Sequence, residues 1–457
     1  MTTGITSTIA NIRVKRLPSA WCSSSGRGRG FAGLLVLQRL VLALLLSATI
    51  SYGYTVLTHE AIVDSVWDLS MRKLLLKRFP NATKEELEQA HAYAYGGCII
   101  QDMGYYPFSS RLFSDLTHYV RSGDFIAALI RDSEDLNEYA FALGALEHYA
   151  ADMEGHRIAT NRAVPMLYPK LRKEFGSDVT YWDNPVAHIR TEFGFDVLQV
   201  ASGRYATEQY RSFIGFQVAR PLLERAFQET YDIQMKDVFG NLTLALGSYR
   251  YSIGSIVPGM TRVAWSLKRT ELQKEIPGIT RKRFLYNLSR SSYEKNWGME
   301  YRKPGIGTRV LTFLLEIVPK VGPLKALKIK VPTPEVEKMF MASFNATIVR
   351  CQTLLAEVDA GHPELPNENL DLGEPPLAGQ YKGADEAYAT LVGKLADKQF
   401  AAASPELRQN ILAYYDGPKP TAPAKPTTKE KAESAKLLEE LERLKAAPQA
   451  VPVAQLQ

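Results

Sequence analysis

A short stretch with His148, Asp152 and His156 constrains the fold of this chain more than any other part of its sequence. The three side chains are four residues apart in a run with helical periodicity, so they are expected along one face of a helix. Two imidazoles and a carboxylate form a ligand set typical of zinc. Because one helix cannot surround an ion, other ligand-bearing segments are expected to pack against this helix.

Further candidate ligands lie on both sides of this helix. His188 and Glu192 form a second His/carboxylate pair with a four-residue step, on a helix that is expected to start at Pro185. The candidate metal ligands are His59, Asp102, His118, His148, Asp152, His156, His188 and Glu192. This set exceeds what one tetrahedral ion accepts, so it predicts a site with several ions. His91 and His362 lack such a pattern and are expected to be structural.

Helical periodicity continues from Thr58 through most of the chain, which predicts an all-α protein. The triplet that ends at Thr83 predicts a helix start, and Pro221 is expected to kink or break a later helix. Pro165 and Pro169 are expected to mark a loop. The apolar and basic stretch 305–331 has two interpretations, a buried hairpin or a segment at a membrane interface.

Composition divides the chain into five segments. Residues 1–53 combine basic residues with a short apolar run and small residues before Tyr54, which predicts a signal peptide and export, secreted or periplasmic. An uncleaved signal anchor is the alternative. The expected segments that follow are a zinc-binding catalytic core (54–200), a helical extension packed on the core (201–360), a region of loop and short helices (361–416) and a low-complexity tail with one charged helix (417–457).

Charge and cysteine content narrow the chemistry further. The formal net charge is +6, yet acidic residues outnumber basic ones between Tyr54 and Asp196, which suits a segment that holds several cations. The absence of a CxxC pair excludes thiolate zinc sites, and Cys98 and Cys351 are either two buried thiols or one disulfide. The sequence has no HExxH, GxSxG or P-loop motif, which argues against zincin proteases, α/β-hydrolases and P-loop nucleotide hydrolases.

The order and type of the candidate ligands resemble the zinc-dependent phospholipase C family, which shares its fold with the single-strand-specific zinc nucleases. The resemblance extends from about Tyr54 to Asp196. It implies a mostly helical fold with three zinc ions, and a mature amino terminus that binds zinc, here Tyr54 in place of the family's tryptophan. The division that it implies is Asp102, His118, His148 and Asp152 at one ion, Tyr54 and His59 with help from Asp102 at another, and His156, His188 and Glu192 at the third. Asp152 is expected either to bridge to a neighbouring ion or to lie close to one.

The function that this resemblance implies is hydrolysis of a phospholipid headgroup phosphodiester by metal-activated water. Asp102 is expected to be both a zinc ligand and the catalytic residue that orients the water. The four-residue step from Asp152 to His156 is shorter than in the best-known family enzymes and is more similar to the catalytic domain of glycosylphosphatidylinositol-specific phospholipase D. Tyr105 stands where the nucleases have arginine, which counts against a nuclease.

Two alternatives remain at this point, a nuclease-like or other soluble phosphodiesterase and a non-catalytic, metal-stabilised lipid-binding protein. The expected partner is a phospholipid or other phosphodiester substrate, with peripheral membrane contact as a further interpretation. No specific nucleic-acid partner is predicted, and nothing in the sequence specifies an oligomeric state. Aromatic residues near the ligands either form a wall for choline or a base, or pack in the core; they are Tyr105, Tyr106, Phe108, Phe113 and Tyr119.

Overall fold

The computed structural model of the chain describes most of its length in four ranges, 56–205, 216–284, 328–417 and 427–448. Within these ranges the regular structure is helical, and the β-structure consists of one isolated bridge between Asn369 and Glu374. The all-α prediction is therefore confirmed. The predicted signal peptide, Tyr54 and most of the stretch 305–331 lie outside the described residues.

The helices follow one another along the chain. The first nine are α1 (Val56–Val66), α2 (Arg72–Arg78), α3 (Lys84–Gly97), α4 (Arg111–Tyr119), α5 (Ser122–Arg131), α6 (Leu136–Gly155), α7 (Asn161–Leu167), α8 (Pro169–Phe175) and α9 (Pro185–Ser202). The later ones are α10 (Arg220–Tyr231), α11 (Met235–Val238), α12 (Leu242–Tyr251), α13 (Val257–Glu275), α14 (Pro334–Ala360), α15 (Lys382–Asp397), α16 (Pro405–Asp416) and α17 (Thr428–Ala446). Short turns of other helical types are the π-turns Trp67–Met71, His156–Thr160 and Ser252–Ile256 and the 3₁₀ turn Ile100–Tyr105.

Helix α6, which carries His148 and Asp152, lies at the centre of the fold. Nearly all of its side chains are buried, as expected for a helix with other helices around it. Asp135 caps its start, because the carboxylate accepts a hydrogen bond from the Glu138 backbone N–H at 2.8 Å. At its other end α6 continues into the π-turn His156–Thr160 without a break.

Two glycines set the distance between α6 and α3, which form the largest helix–helix contact of the described chain. A Cβ atom added at Gly97 would lie 2.0 Å from the Phe141 carbonyl oxygen, and one added at Gly144 would lie 2.0 Å from the Ala94 carbonyl oxygen. A side chain at either position would therefore push the two helices apart. The close approach places the end of α3 beside His148.

The predicted helix starts are confirmed. Thr83 caps α3 and forms a capping box with Glu86. Pro185 is in the first turn of α9, after the cap residue Asn184. Pro221 is in the first turn of α10. Backbone N–H groups in the first turn have no partner within the helix, so proline loses no helical hydrogen bond there. The break expected at Pro221 is thus a helix start.

The loop predicted at Pro165 is wrong, because this residue lies inside α7. A proline in a helix leaves the carbonyl four residues earlier without its usual donor. Here that carbonyl belongs to Asn161, and it accepts a hydrogen bond from the Val179 backbone N–H at 2.9 Å. A tertiary contact therefore compensates for the missing helical bond. Pro169 begins α8, so the connection at this point is limited to Tyr168.

The carboxy-terminal part of the described chain packs on the same core. Helix α14 contacts α6 and α1, and α15 contacts α4. Cys98 and Cys351 are both buried and unpaired, which leaves two thiols rather than a disulfide. None of the described helices combines the length and apolar character needed to cross a bilayer.

Candidate metal centre

Every candidate ligand from the sequence that the structure describes is buried, and all of them lie close together around the centre of the fold. His59 is on α1, Asp102 on the 3₁₀ turn, and His118 on α4. None of the eight described side chains belongs to a residue that is more than 2% exposed. Their atoms form three groups that are compact enough to hold an ion, namely His59 with His148 and Asp152; Asp102 with His118 and His148; and His156 with His188 and Glu192.

The first cluster is built around His118 and His148, whose Nε2 atoms lie 3.3 Å apart. Asp152 Oδ2 is 3.2 Å from Nε2 of both histidines. Asp102 Oδ1 is 3.5 Å from His118 Nε2. Two imidazoles and two carboxylates thus converge, as the resemblance implies for one ion.

Asp152 directs its second oxygen to a third histidine. Oδ1 lies 3.6 Å from His59 Nε2, whereas Oδ2 faces His118 and His148. One carboxylate therefore serves two neighbouring groups, which is the arrangement of a bridging ligand. The resemblance assigned Asp102 to the ion of His59, but the group that contains His59 has Asp152 as its carboxylate.

The second cluster joins the π-turn to α9. Glu192 Oε1 lies 2.8 Å from His188 Nε2 and 3.4 Å from His156 Nε2. His148 and His156 serve different clusters, because a residue eight positions along an α-helix is rotated by about 80° around the axis. The π-turn that begins at His156 marks the point where the chain passes from one cluster to the other.

The histidines of the first cluster are held by hydrogen bonds at their second ring nitrogen. His148 Nδ1 lies 2.9 Å from the Cys98 carbonyl oxygen, and His118 Nδ1 lies 2.8 Å from the Ser114 carbonyl oxygen. A carbonyl only accepts hydrogen bonds, so Nδ1 carries a proton and Nε2 is the nitrogen directed at the metal position. The Cys98 carbonyl is available because it lies at the carboxyl end of α3, beyond the last helical turn.

The donor atoms fit zinc in both type and spacing. A tetrahedral ion with bonds of 2.0–2.1 Å places its ligand atoms about 3.3 Å apart. The distances from Asp152 to three histidines are 3.2, 3.2 and 3.6 Å. Both carboxylate oxygens of Asp152 and of Glu192 are buried without a hydrogen bond of regular geometry. Such buried carboxylates are costly unless a cation compensates them.

The electrostatics of the first cluster favour a cation as well. Although burial opposes protonation of His118, the carboxylates of Asp102 and Asp152 raise its pKa to about 10. Burial would raise the pKa of Asp152, but the histidines around it, His148 first, lower that pKa well below its usual value. The pKa of His59 is lowered well below its usual value by burial and by His148. A divalent cation would displace the proton of His118 and leave neutral imidazoles beside ionised carboxylates.

The sequence does not predict two carboxylates that lie beside the histidines, Glu147 and Asp371. Glu147 Oε2 lies 3.3 Å from His59 Nδ1, although its neighbour His148 points into the cluster. Asp371 Oδ1 lies 3.0 Å from His156 Nδ1 and comes from the segment between α14 and α15. Burial would raise the pKa of Asp371, but His156 lowers it to about 2. Neither residue shows a His/carboxylate spacing in the sequence, because tertiary packing creates both contacts.

Two aromatic residues, Tyr105 and Tyr181, lie beside a histidine of each cluster. The Tyr105 ring lies 6.0 Å from the His118 ring and 5.8 Å from the Tyr181 ring, which in turn is 5.7 Å from the His188 ring. Of the other predicted aromatics, Phe113 packs in the core, and Phe108 is half exposed. Two of them contact other side chains, Tyr106 the ring of Tyr249 and Tyr119 the carboxylate of Asp371. Tyr54 lies outside the described residues.

A helical fold with buried clusters of histidine and carboxylate side chains is suited to binding metal ions. Residues 58–241 match the model of the zinc-dependent phospholipase C family. That segment contains every described candidate ligand. No curated protein and no solved structure matches the chain.

Proposed function

We propose that this protein is a phospholipase C that hydrolyses phospholipid headgroup phosphodiesters with three zinc ions. The observation that carries the proposal is the position of Asp152, whose two oxygens serve two adjoining ligand groups inside the segment that matches the family. Closely spaced ions suit the in-line displacement of a phosphodiester, because bound zinc supplies a nucleophilic water at neutral pH and positive charge for the phosphoryl oxygens.

In this proposal the ions are held by residues from separate helices. Asp102, His118, His148 and Asp152 hold the first ion. His59 and Asp152 hold the second, together with the amino terminus at Tyr54. His156, His188 and Glu192 hold the third. Burial of every described ligand restricts water at the clusters, which strengthens their electrostatic effect on a bound phosphate.

Asp102 is the proposed catalytic residue. It lies on the 3₁₀ turn with its carboxylate 3.5 Å from His118 Nε2, where it binds metal and accepts a hydrogen bond from the attacking water. The same turn ends at Tyr105, and burial raises the pKa of this tyrosine well above its usual value. Its hydroxyl therefore stays protonated. Tyr105 and Tyr181 would form the wall that the substrate headgroup meets.

We propose in addition that the protein is exported and that cleavage before Tyr54 creates a zinc-binding amino terminus. The support is the leader composition of residues 1–53 and the position of Tyr54 shortly before His59. Amino-terminal sequencing of the exported protein would test this. A mature chain that starts elsewhere would remove the terminal ligand from the proposal.

The decisive experiment combines metal analysis with a substrate panel. The exported protein is loaded with zinc and incubated with vesicles of phosphatidylcholine, phosphatidylethanolamine, phosphatidylinositol or phosphatidylglycerol, and with single-stranded DNA. We expect release of a phosphorylated headgroup from at least one lipid, with no cleavage of DNA. A zinc-loaded protein that hydrolyses none of the lipids would refute the proposal, and cleavage of DNA alone would identify a nuclease.

Two variants make the experiment specific. Asp102→Asn should lose at least about 100-fold in activity, since it alters a metal ligand and the residue proposed to orient water. His91→Asn is the control, because His91 is also a buried histidine beside a carboxylate, 3.0 Å from Asp64, but belongs to none of the ligand groups. It should keep its activity at temperatures where it is folded.

A further inference from the structure

The segment between α14 and α15 crosses the metal centre, although it lies far outside the family-matched range 58–241. We call residues 365–373 of this segment the strap. Its backbone forms hydrogen bonds with two helices of the core that carry ligands, α4 and α6. The Leu370 N–H donates to the His118 carbonyl oxygen at 3.1 Å. The Tyr149 hydroxyl donates to the Pro366 carbonyl oxygen at 2.6 Å, next to His148.

The turn within the strap places the Asp371 side chain beside His156. Asn369 organises a tight turn, because its carbonyl oxygen accepts from the Gly373 N–H at 2.7 Å and its side chain accepts from the Asp371 N–H at 3.0 Å. Gly373 has a φ of 66°, a left-handed conformation that favours glycine. Asn161, on α7, donates to the Asp371 carbonyl oxygen at 2.8 Å.

Both oxygens of the Asp371 carboxylate are engaged. Oδ1 lies 3.0 Å from His156 Nδ1. Oδ2 accepts a hydrogen bond from the Tyr119 hydroxyl at 2.9 Å and another from the Tyr381 hydroxyl. Asp371 is only 3% exposed, so its charge is directed at His156 rather than at solvent. The tyrosines fix the carboxylate, and the carboxylate faces the histidine.

His156 differs from His59, His118 and His148 in the part of the chain that supplies the partner of its Nδ1 atom. His59, His118 and His148 direct Nδ1 to Glu147 and to the Ser114 and Cys98 carbonyl oxygens, all within the family-matched segment. His156 directs Nδ1 to a residue more than a hundred positions beyond that segment. A carboxylate at Nδ1 holds a proton there, keeps Nε2 free as a ligand and makes that nitrogen more basic.

We propose that Asp371 is a positioning residue for the metal ion held by His156, His188 and Glu192, and that the strap is an integral part of the metal centre. The inference rests on the proposed zinc function. It adds that this ion depends on the carboxy-terminal part of the chain. The family-matched segment alone would therefore bind that ion weakly.

The test measures metal binding in the full chain, with Zn²⁺ alone and with Co²⁺ as a spectroscopic probe. Asp371→Ala should lower the zinc affinity of one ion by about 10- to 100-fold, the range found when a partner of a ligating histidine is removed. Asp371→Asn keeps an acceptor but removes the charge, so a smaller loss is expected. The visible spectrum of the corresponding Co²⁺ ion should change in both variants.

Asp64→Asn is the matched control. Asp64 is a buried carboxylate that lies 3.0 Å from His91 Nε2 and accepts from the Tyr95 hydroxyl, but His91 belongs to none of the ligand groups. This variant should lose stability while keeping its zinc affinities and Co²⁺ spectrum. Tyr119→Phe is a mild second variant in case Asp371→Ala does not fold, because it removes one hydrogen bond to Asp371 and keeps the charge. It should weaken the same ion slightly.

The outcomes separate the two proposals. Loss of one ion in the Asp371 variants and not in Asp64→Asn supports the positioning role. Unchanged zinc affinities and an unchanged Co²⁺ spectrum in folded Asp371→Asn and Tyr119→Phe would overturn it. If the unaltered chain binds zinc and hydrolyses lipid in that case, the proposed function survives. If the unaltered chain binds no zinc, the proposed function itself fails.

Discussion

Asp152 and His59 come from separate helices, yet Asp152 Oδ1 lies 3.6 Å from His59 Nε2 inside a fully buried cluster. The other oxygen of the same carboxylate faces His118 and His148. Asp152 on α6 therefore contacts ligand side chains from α1, α4 and α6. Its helical neighbour His148 belongs to both ligand groups as well.

Replacement of Asp152 should be more damaging than replacement of Asp102. Asp152→Asn removes a charge that faces His59 with one oxygen and His118 and His148 with the other. Asp102→Asn alters a carboxylate that belongs to one ligand group. We expect Asp152→Asn to lose most of two bound ions and to fall at least about 100-fold in activity. Zinc content by elemental analysis checks this directly. Equal zinc loss in both variants would contradict the bridging role.

Metal removal should destabilise the protein. Without a cation, the carboxylates of Asp152 and Glu192 stay buried without regular hydrogen bonds, which is costly. An ion that binds only the folded state adds about 2.7 kcal/mol of stability at a concentration 100 times its Kd. Thermal unfolding with and without a chelator should therefore show a clear drop in Tm. Zinc should restore the Tm, whereas magnesium should not, since imidazole ligands suit zinc. An unchanged Tm in chelator would argue against buried ions.

The parts of the site that the sequence predicts well are those encoded locally. His148 with Asp152 and His188 with Glu192 are one helical turn apart, so their spacing alone indicates a shared direction. Asp371 has no such signal. It lies in an irregular segment, and its position beside His156 follows from the turn at Asn369 and from the tyrosines that bind it.

The fold shows the same contrast between local and tertiary determinants. The cap at Thr83 and the first-turn position of Pro185 depend on neighbouring residues, and both predictions hold. Pro165 looked like a loop residue because proline disrupts helical bonding. The compensating donor is the Val179 N–H, which only the folded chain brings to Asn161.

Gly144→Ala should destabilise the fold through the contact between α6 and α3. The added Cβ would lie 2.0 Å from the Ala94 carbonyl oxygen, so the helices must separate. We expect a loss of about 1–3 kcal/mol, typical of overpacking. Gly247→Ala on α12 is the control, because a Cβ there meets nothing within 4 Å. It should be neutral or stabilising by up to about 1 kcal/mol, since alanine favours helix. Urea denaturation measures both, and equal stability of the two variants would refute the close-packing role.

The two described cysteines should be unreactive thiols in the folded protein. Cys98 and Cys351 are fully buried and unpaired, and burial raises the pKa of both thiols well above the usual value. Little thiolate is then available for attack on a disulfide reagent. In the chain that begins at Tyr54, a chromogenic thiol assay should detect no fast-reacting group in the native state and two after denaturation. A reducing agent should leave the Tm unchanged. Fewer than two thiols after denaturation without reductant would instead indicate a disulfide and contradict the observed packing.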